Sequence, residues 1–357
     1  MSEQEVIQNF KEIYAMLKDD LSKELYVNRL AWLVTGDFGY VEKIVKKSHP
    51  NMPVWKRGNE EDFILDLPPE KGIVCYGAGS FAKRMLPYMQ KHFKQIEFCD
   101  ASREKQANGY YGYSVCSPEE AVKNGKDKSF IICTTKYTDE VKEYLLSNGV
   151  LQENIVDIRQ YFCCGTGDEY FYEDFLKFSN EEIFIDAGCC DLGTTADFFK
   201  VCQELKKAYA FEPDAFNYKK CRERLEREQD TLPEVVMLPY GTWSSSTKLH
   251  FNATGDGCAH IGDGETVIQT IAIDDAVDGQ DKITFIKMDV EGAELESLKG
   301  AQKVIKRDKP KLAVCIYHKP EDILTLPLFI KKLVPEYKFY LRSYSNADNE
   351  MVLYAIP

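Results

Sequence analysis

The sequence lacks the features of several common classes of protein. No stretch approaches the roughly 18 consecutive apolar residues that a membrane-spanning helix needs, and the amino-terminal segment has neither the basic nor the apolar region of a secretion signal. Basic residues are outnumbered, with 45 Lys and Arg against 58 Asp and Glu and a net charge of -13. Because nucleic acids are held largely by excess positive charge, we expect no nucleic-acid partner, no membrane span and a cytoplasmic location.

Closely spaced cysteine motifs are missing as well. The twelve cysteines lie between Cys75 and Cys315, with two adjacent pairs but no C-x-x-C spacing. This distribution favours reduced, buried thiols in a cytosolic protein over a disulfide framework. A zinc cluster is the less favoured alternative.

Length and hydrophobic patterning predict several domains. The 357 residues, 44% of them hydrophobic, suffice for two or three domains. Helical spacing of apolar residues to about residue 48, followed by an acidic segment with prolines, predicts a helical region and linker over 1–67. Alternating strand and helix patterns predict two Rossmann-like α/β domains, over 68–160 and 161–357. The last two strands are separated by only a short turn, so we expect a terminal antiparallel hairpin, which resembles the class I methyltransferase topology.

The first α/β domain opens with a glycine-rich turn. The segment GAGS at 77–80 follows a strand and opens a helix, in a variant of the dinucleotide fingerprint whose backbone amides approach a phosphate. Asp100 ends the next strand, where a carboxylate can bind a ribose hydroxyl. The pattern predicts a nucleotide site of Gly77, Gly79, Ser80 and Asp100, with a purely structural turn as the equal alternative.

The second α/β domain opens with a different turn, FIDAGCCDLGTT, and its next strand ends in Glu212. A carboxylate at a strand end, a glycine at a close turn and a second acid on the next strand suit a nucleoside without phosphates. S-adenosylmethionine fits this arrangement, with Glu212 on the ribose; an ordinary tight turn with a surface glutamate is the alternative. The predicted cofactor-binding residues of this turn and strand are Asp186, Gly188, Asp191, Gly193, Thr194 and Glu212.

Six ordered segments from about residue 181 onward extend this pattern: FIDAGCCDLGTT, YAFEPD, LPYGTWS, IAIDD, FIKMDVEGAELESLKGA and IYHKPEDI. In this order and spacing they resemble the FkbM family of S-adenosylmethionine-dependent methyltransferases. The resemblance implies methyl transfer, commonly to a hydroxyl of a sugar, glycan or secondary metabolite. Members often carry a glycine at the position of Leu192, whereas this chain has its glycine one residue later, at Gly193.

Methyl transfer to an alcohol requires a general base or a metal, because the hydroxyl is a very weak acid. Asp289 and His318 end two successive strands of the pattern, at the sheet edge where α/β proteins bind ligands. We predict His318 as the general base, with a packed or solvated imidazole as the alternative. Asp289 is predicted to accept the proton, to orient the base or, with Glu291, to bind Mg²⁺, and its structural alternative is a helix N-cap.

Two further positions complete the predicted site. Trp243 and Ser244 follow the third strand of the second domain, where adenine lies in this fold class, although Trp243 also suits core packing. His260, in a glycine-rich loop, is a weaker candidate for closing over a ligand.

Two functions remain open at this stage. The favoured one is an S-adenosylmethionine-dependent O-methyltransferase acting on a small molecule or glycan. The other is a non-catalytic nucleotide or nucleotide-sugar sensor with a weakened donor site, because the first domain resembles Rossmann-like sensor domains found beside sugar-modifying enzymes. No oligomeric state is predicted.

Overall fold

The computed structural model describes residues 3–55, 67–68, 70–134, 137–179, 181–202, 205–228, 232–253 and 259–357. Contacts divide the chain into two compact units. The large unit comprises residues 1–48, 169–344 and 348–357, and the small unit comprises residues 49–168 and 345–347. Within the described ranges, no helix combines the length and apolar character needed to cross a membrane.

The small unit contains a parallel five-stranded sheet with the order β3-β2-β1-β4-β5. Buried apolar runs form its central strands, as expected for a parallel sheet covered by helices on both faces. The elements in chain order are β1 (Ile73–Tyr76), α4 (Ser80–His92), β2 (Ile96–Cys99), α5 (Arg103–Asn108), β3 (Val115–Cys116), α6 (Pro118–Asn124), β4 (Ser129–Ile132), α7 (Thr138–Ser147) and β5 (Ile155–Asp157).

The large unit begins with three helices, α1 (Glu3–Met16), α2 (Asp20–Thr35) and α3 (Gly39–Ser48). It continues with β6 (Ile183–Ala187), α8 (Gly193–Val201), β7 (Lys207–Phe211), α9 (Ala215–Arg227), β8 (Glu234–Leu238), β9 (Gly241–Thr242), β10 (Thr247–Asn252), β11 (His260–Ile261) and β12 (Thr266–Ile271). The remaining elements are α10 (Ile273–Ala276), β13 (Phe285–Met288), α11 (Glu294–Gly300), α12 (Gln302–Asp308), β14 (Lys311–Cys315), α13 (Asp322–Leu333), β15 (Lys338–Ser343) and β16 (Met351–Ile356).

Seven of these strands form one sheet with the order β15-β16-β14-β13-β6-β7-β8. Among these seven described strands, β16 is antiparallel to both of its neighbours and the other pairings are parallel. The predicted α/β class, with two Rossmann-like sheets and a terminal antiparallel hairpin, is confirmed. A second, mixed sheet with the order β11-β10-β12-β9 lies in the same unit.

Both faces of the seven-stranded sheet are covered by apolar side chains. On one face the rings of Phe171 and Phe184 each lie 4.8 Å from the ring of Phe198, which in turn lies 5.4 Å from that of Phe285. These tilted and edge-on geometries are typical of favourable aromatic pairs. The opposite face buries aliphatic side chains against α11 to α13 and the amino-terminal helices.

The compact units differ from the domain boundaries expected from the sequence. Helices α1 to α3 belong to the large unit, because the apolar stripe of Ile13, Leu17 and Leu25 is buried in the core of the seven-stranded sheet. Helix α2 packs along β15, where the Ser22 hydroxyl accepts a hydrogen bond of 2.8 Å from the Leu341 amide. Residues 161–168, expected in the second α/β domain, instead cluster with the small unit.

Candidate active site

A cleft lies in the large unit at the carboxyl ends of β6, β7 and β13. It holds about 770 Å³ of space outside the protein atoms, open solvent included. Side chains from β10, β11 and β12 close one side of it with apolar surface, contributed by Phe251, Ile261 and Ile268. The predicted residues Gly188, Thr194, Glu212, Asp289 and Glu291 all line this cleft.

Gly188 sits where β6 turns into the cleft, and only glycine fits there. Its φ of +79° lies in the left-handed region, and a Cβ at this position would overlap the carbonyl oxygen of Asp289. The same turn holds Cys190 and Leu192 at positive φ values of 52° and 63°. Leu192 is fully buried, so the burial of its side chain compensates for a backbone conformation that favours the glycine often found in the family.

Glu212 is a buried carboxylate at the end of β7. Its two oxygens accept hydrogen bonds from the backbone amides of Cys190, at 2.9 Å, and Asp214, at 2.8 Å. Burial raises the pKa of Glu212 to about 7, although these amides partly oppose the shift. The carboxylate thus ties the Gly188 turn to the neighbouring strand and faces the cleft with unused lone pairs.

A buried ion pair that the sequence analysis missed lies beneath the turn. Lys287, in β13, is 2% exposed, and its Nζ donates to the Gly188 carbonyl at 2.6 Å and lies 3.2 Å from Asp186 Oδ1. Asp186 also accepts a hydrogen bond of 2.8 Å from the Thr195 hydroxyl. Burial raises the pKa of Asp186, while Lys287 and Thr195 oppose the rise. A lysine within the apolar strand FIKM was the signal that could have revealed this pair.

Five predicted donor-site residues are not in the described lining of the cleft: Asp186, Asp191, Gly193, Trp243 and Ser244. Asp191 turns back to accept a hydrogen bond from the Gly193 amide at 2.9 Å, because Gly193 begins α8 and its amide has no partner within the helix. The lining residues nearest in sequence to Trp243 and Ser244 are Gly241 and Thr242, which form β9 and precede the predicted pair by two residues. Asp186 lies beneath the turn, where it acts on the cleft through Lys287 and Thr195.

Next to Asp289 and Glu291 of the cleft lining, His318 lies among three carboxylates. Its Nδ1 lies 2.8 Å from Glu294 Oε1, while its Nε2 lies 3.6 Å from Asp289 Oδ1 and 3.5 Å from Glu291 Oε2. Asp289 is held through its second oxygen, Oδ2, by the Tyr170 hydroxyl at 3.0 Å. The structure therefore brings together the three residues that the sequence predicted for catalysis or metal binding.

The surroundings of His318 bear on its predicted role as the general base, which stays a prediction. Burial lowers the pKa of the imidazole, but the neighbouring carboxylates of Glu291, Glu294 and Asp289 outweigh burial and raise the pKa to about 11. This raised pKa favours the imidazolium, which lacks the free lone pair that a general base needs. The sequence placed His318 at the correct strand end but did not reveal Glu294, which comes from α11.

Further groups around Asp289 were not predicted. Tyr170 is buried, and burial raises its pKa, so it remains a neutral hydrogen-bond donor. Glu350, next to the β15–β16 turn, accepts a hydrogen bond of 3.3 Å from the Tyr317 hydroxyl. Burial and repulsion from Asp289 raise the pKa of Glu350 to about 8. The surroundings of Asp289 are therefore rich in acidic groups.

His260 and the small-unit turn have other arrangements. His260 lies in β11, where its Nε2 is 3.0 Å from Asn252 Nδ2, and it is not among the residues described as lining the cleft. In the small unit, Gly77, Gly79 and Asp100 line a separate cavity, and α4 begins at Ser80.

The carboxylate of Asp100 is already occupied by protein donors. It accepts hydrogen bonds from the amides of Ala78 and Ser102, both at 2.9 Å, and from Lys105 Nζ at 2.8 Å. Burial opposes its ionisation, but these donors outweigh burial and lower the pKa of Asp100. Asp100 thus braces the glycine turn while it lines the cavity, and its binding to a ribose stays a prediction.

Part of the large unit matches a known protein family. The family model described as the methyltransferase FkbM domain matches residues 186–341. The hexuronic acid methyltransferase AglP of Haloferax volcanii is 30% identical over 135 residues, which are 36% of this chain and 55% of AglP. The chain therefore spans about half the length of this curated relative.

Two solved structures are also similar to the chain. The methyltransferase FkbM of Methylobacillus flagellatus has a TM-score of 0.48 at 18% identity, covering 91% of this chain and all of that one. An rRNA methylase of Streptococcus thermophilus has a TM-score of 0.34 at 16% identity, covering 50% of this chain and 86% of that one. The family match assigns residues 186–341, within the large unit, to the methyltransferase FkbM domain.

Proposed function

We propose that this protein transfers the methyl group of S-adenosylmethionine to a hydroxyl of a sugar or glycan. The observation that carries the proposal is a cleft lined both by Gly188 and Glu212 and by the carboxylates of Asp289 and Glu291, with His318 Nε2 within 3.6 Å of both carboxylates. A donor site and a proton-accepting site in one cleft are what an alkyl transfer to oxygen requires.

The part of the cleft around Gly188 and Glu212 suits the nucleoside and amino-acid parts of S-adenosylmethionine. Glu212 has unused lone pairs that can accept hydrogen bonds from the ribose hydroxyls, and the Gly188 turn lines the same cleft, where it can contact the amino-acid tail. Apolar side chains of Phe251 and Ile268 offer surface for the adenine. Buried Lys287 holds the Gly188 carbonyl and thereby fixes the shape of the turn.

The carboxylates of Asp289 and Glu291 supply a site for the proton of the acceptor hydroxyl. In the transfer, the acceptor oxygen forms a bond to the methyl carbon while the carbon–sulfur bond breaks and its electron pair stays on sulfur. The released proton passes to a carboxylate, for which Asp289 Oδ1 is placed best, since it has no hydrogen-bond partner among the described residues. His318 acts as a positioning residue, because its imidazolium lies between Asp289 and Glu291.

A sugar acceptor is supported by the name of AglP, a hexuronic acid methyltransferase. Sugar hydroxyls donate hydrogen bonds to carboxylates, so Asp289 and Glu291, which line the cleft, can orient them. The net charge of -13 also favours a neutral hydroxyl over a phosphate-rich acceptor.

The test begins with donor binding. S-adenosylhomocysteine at 1 mM should raise the melting temperature of the wild-type protein, and Glu212→Ala should lose most of that rise. Glu223→Ala is the matched control, because Glu223 is an exposed residue of α9 that pairs with Lys219. Methyl transfer from methyl-labelled S-adenosylmethionine is then measured on neutral sugars and hexuronic acids. Absence of a melting shift in the wild type would contradict the proposal.

The small unit supports a second candidate, the binding of a nucleotide or nucleotide sugar. Its cavity combines the Gly77 turn with Lys105 and Tyr137, a cationic group and an aromatic ring suited to phosphate and base. Titration calorimetry with nucleoside diphosphates and nucleotide sugars tests this candidate, and Lys105→Ala should weaken the binding. A protein that binds these ligands but transfers no methyl group would be the sensor considered in the sequence analysis.

A further inference from the structure

We propose that Asp289, Glu291 and His318 form a binding site for one divalent transition-metal ion. The three side chains each direct one ligand atom to a common point, and these atoms all lie within 4.8 Å of one another. Their positions come from separate elements, since Asp289 and Glu291 follow β13 and His318 follows β14.

The distances between the ligand atoms fit a shared cation better than direct hydrogen bonds. His318 Nε2 lies 3.6 Å from Asp289 Oδ1 and 3.5 Å from Glu291 Oε2, longer than the roughly 2.7–3.2 Å of a normal N–H···O bond. Metal–ligand bonds of about 2.1 Å place neighbouring ligands roughly 3.0–3.4 Å apart in octahedral or tetrahedral geometry. Small side-chain movements would bring the three atoms to these separations.

Two of the three ligand atoms are buried and lack protein partners. The His318 side chain is 9% exposed, and neither its Nε2 nor Asp289 Oδ1 has a hydrogen-bond partner in the described part of the chain. A buried polar atom without a partner loses its hydrogen bonds to water and gains none from the protein, which destabilises the folded state. A cation between these atoms would satisfy both of them.

Outer contacts hold the ligands in position. Glu294 Oε1 lies 2.8 Å from His318 Nδ1, which turns Nε2 toward the cluster, as in the carboxylate–histidine pairs of many metal sites. Glu294 is itself fixed by the backbone amide of Val290 at 3.1 Å. The Tyr170 hydroxyl holds the other oxygen of Asp289.

The backbone at Glu291 supports the same conclusion. Glu291 has a φ of +52° and Gly292 a φ of +90°, and positive φ is costly for a residue with a side chain. This strained conformation directs Glu291 toward His318 and Asp289. Strain of this kind is concentrated at functional sites.

The ligand set indicates the kind of cation. Mg²⁺ prefers oxygen ligands alone, whereas an imidazole nitrogen with two carboxylates suits Mn²⁺, Fe²⁺ or Zn²⁺. This set refines the expectation of Mg²⁺ from the sequence. If the proposed methyl transfer holds, Asp289, Glu291 and His318 would hold the cation, which would supply a Lewis acid that lowers the pKa of an acceptor hydroxyl; solvent would then take the proton, and Asp289 would serve as a ligand instead of the base.

The experiment measures binding of Mn²⁺ to the full chain by the loss of the free-ion signal in electron paramagnetic resonance. We expect one Mn²⁺ per chain in the wild type, with Glu291→Gln and His318→Gln each weakening binding at least tenfold and Glu294→Gln by about 10–100-fold. His250→Gln is the control, because His250 is an exposed residue of β10. Circular dichroism verifies that each variant is folded.

The outcomes separate this proposal from the proposed function. An undiminished free-ion signal with wild-type protein, or equal binding by the wild type and the two ligand variants, would overturn the cation site. Full methyl transfer by a wild-type protein that binds no Mn²⁺ would overturn the cation site while leaving the methyltransferase activity intact. Bound Mn²⁺ that depends on Glu291 and His318 without methyl transfer to any acceptor would support the cation site and count against the proposed function.

Discussion

Replacing Lys287 by Met should destabilise the large unit strongly, because the Lys287 ammonium neutralises a carboxylate with no exposure to solvent. Asp186 is 0% exposed and would keep only the Thr195 hydroxyl as a partner. Breaking a buried ion pair by removing one partner costs about 3–5 kcal/mol. For a unit of this size, that loss corresponds to a fall of roughly 6–20 °C in melting temperature.

The stability lost in Lys287→Met should depend on pH. Burial already raises the pKa of Asp186, and removal of Lys287 would raise it further. A carboxyl with a raised folded-state pKa stabilises the protein in its protonated form, and this stability is lost as pH rises through that pKa. The difference in stability between the wild type and Lys287→Met should therefore be smaller at pH 5 than at pH 8.

Urea unfolding followed by circular dichroism at the two pH values measures both effects. Asp186→Asn combined with Lys287→Met removes both charges and should recover part of the lost free energy of unfolding. Lys248→Met is the matched control, since Lys248 is exposed on β10. A loss below about 1 kcal/mol, or an equal loss at both pH values, would refute the reasoning.

Three other substitutions test separate features. Gly188→Ala should abolish donor binding or folding because its Cβ would overlap the Asp289 carbonyl, whereas Gly279→Ala, with open space around the position, should change neither melting temperature nor binding. As pH rises toward the Glu212 pKa of about 7, the affinity for S-adenosylhomocysteine should increase by up to tenfold per pH unit, and it should level off above that pKa. Calorimetry on Glu212→Gln should show a flatter dependence of affinity on pH. Asp100→Ala should lower the stability of the small unit by roughly 1–3 kcal/mol, because it leaves backbone donors of the turn unpaired; unchanged hydrogen exchange there would contradict this role.

Alternation of strands and helices made the sheet of the large unit predictable. Each buried run such as FIKM is followed by a helix pattern, and this regularity dictates parallel pairing. Packing of α1 to α3 was not predictable, because an amphipathic pattern shows that a helix has an apolar face but does not name the surface that covers it.

The candidate site was predictable to the extent that it depends on strand ends. Gly188, Glu212, Asp289 and His318 all follow strands at one sheet edge, so sequence order alone places them near one another. The raised pKa of His318 was not predictable, because it depends in part on Glu294, a helical residue whose orientation is fixed by the fold. Lys287 was missed because its strand is otherwise apolar, and its partner Asp186 belongs to a different strand.

The amino-terminal helices have a practical consequence for work on the region matched by the family model. That region, 186–341, excludes α1 to α3 and β16 and ends within β15. A chain shortened to it would uncover Phe339 and Leu341, which are 0% and 1% exposed in the complete large unit. It would also lose both Asp19 and Arg342, whose side chains pair at 2.7 Å between α2 and β15 in the complete unit. Truncation at the boundaries of the family match should therefore yield an aggregating product, and expression of the large unit requires its first 48 residues.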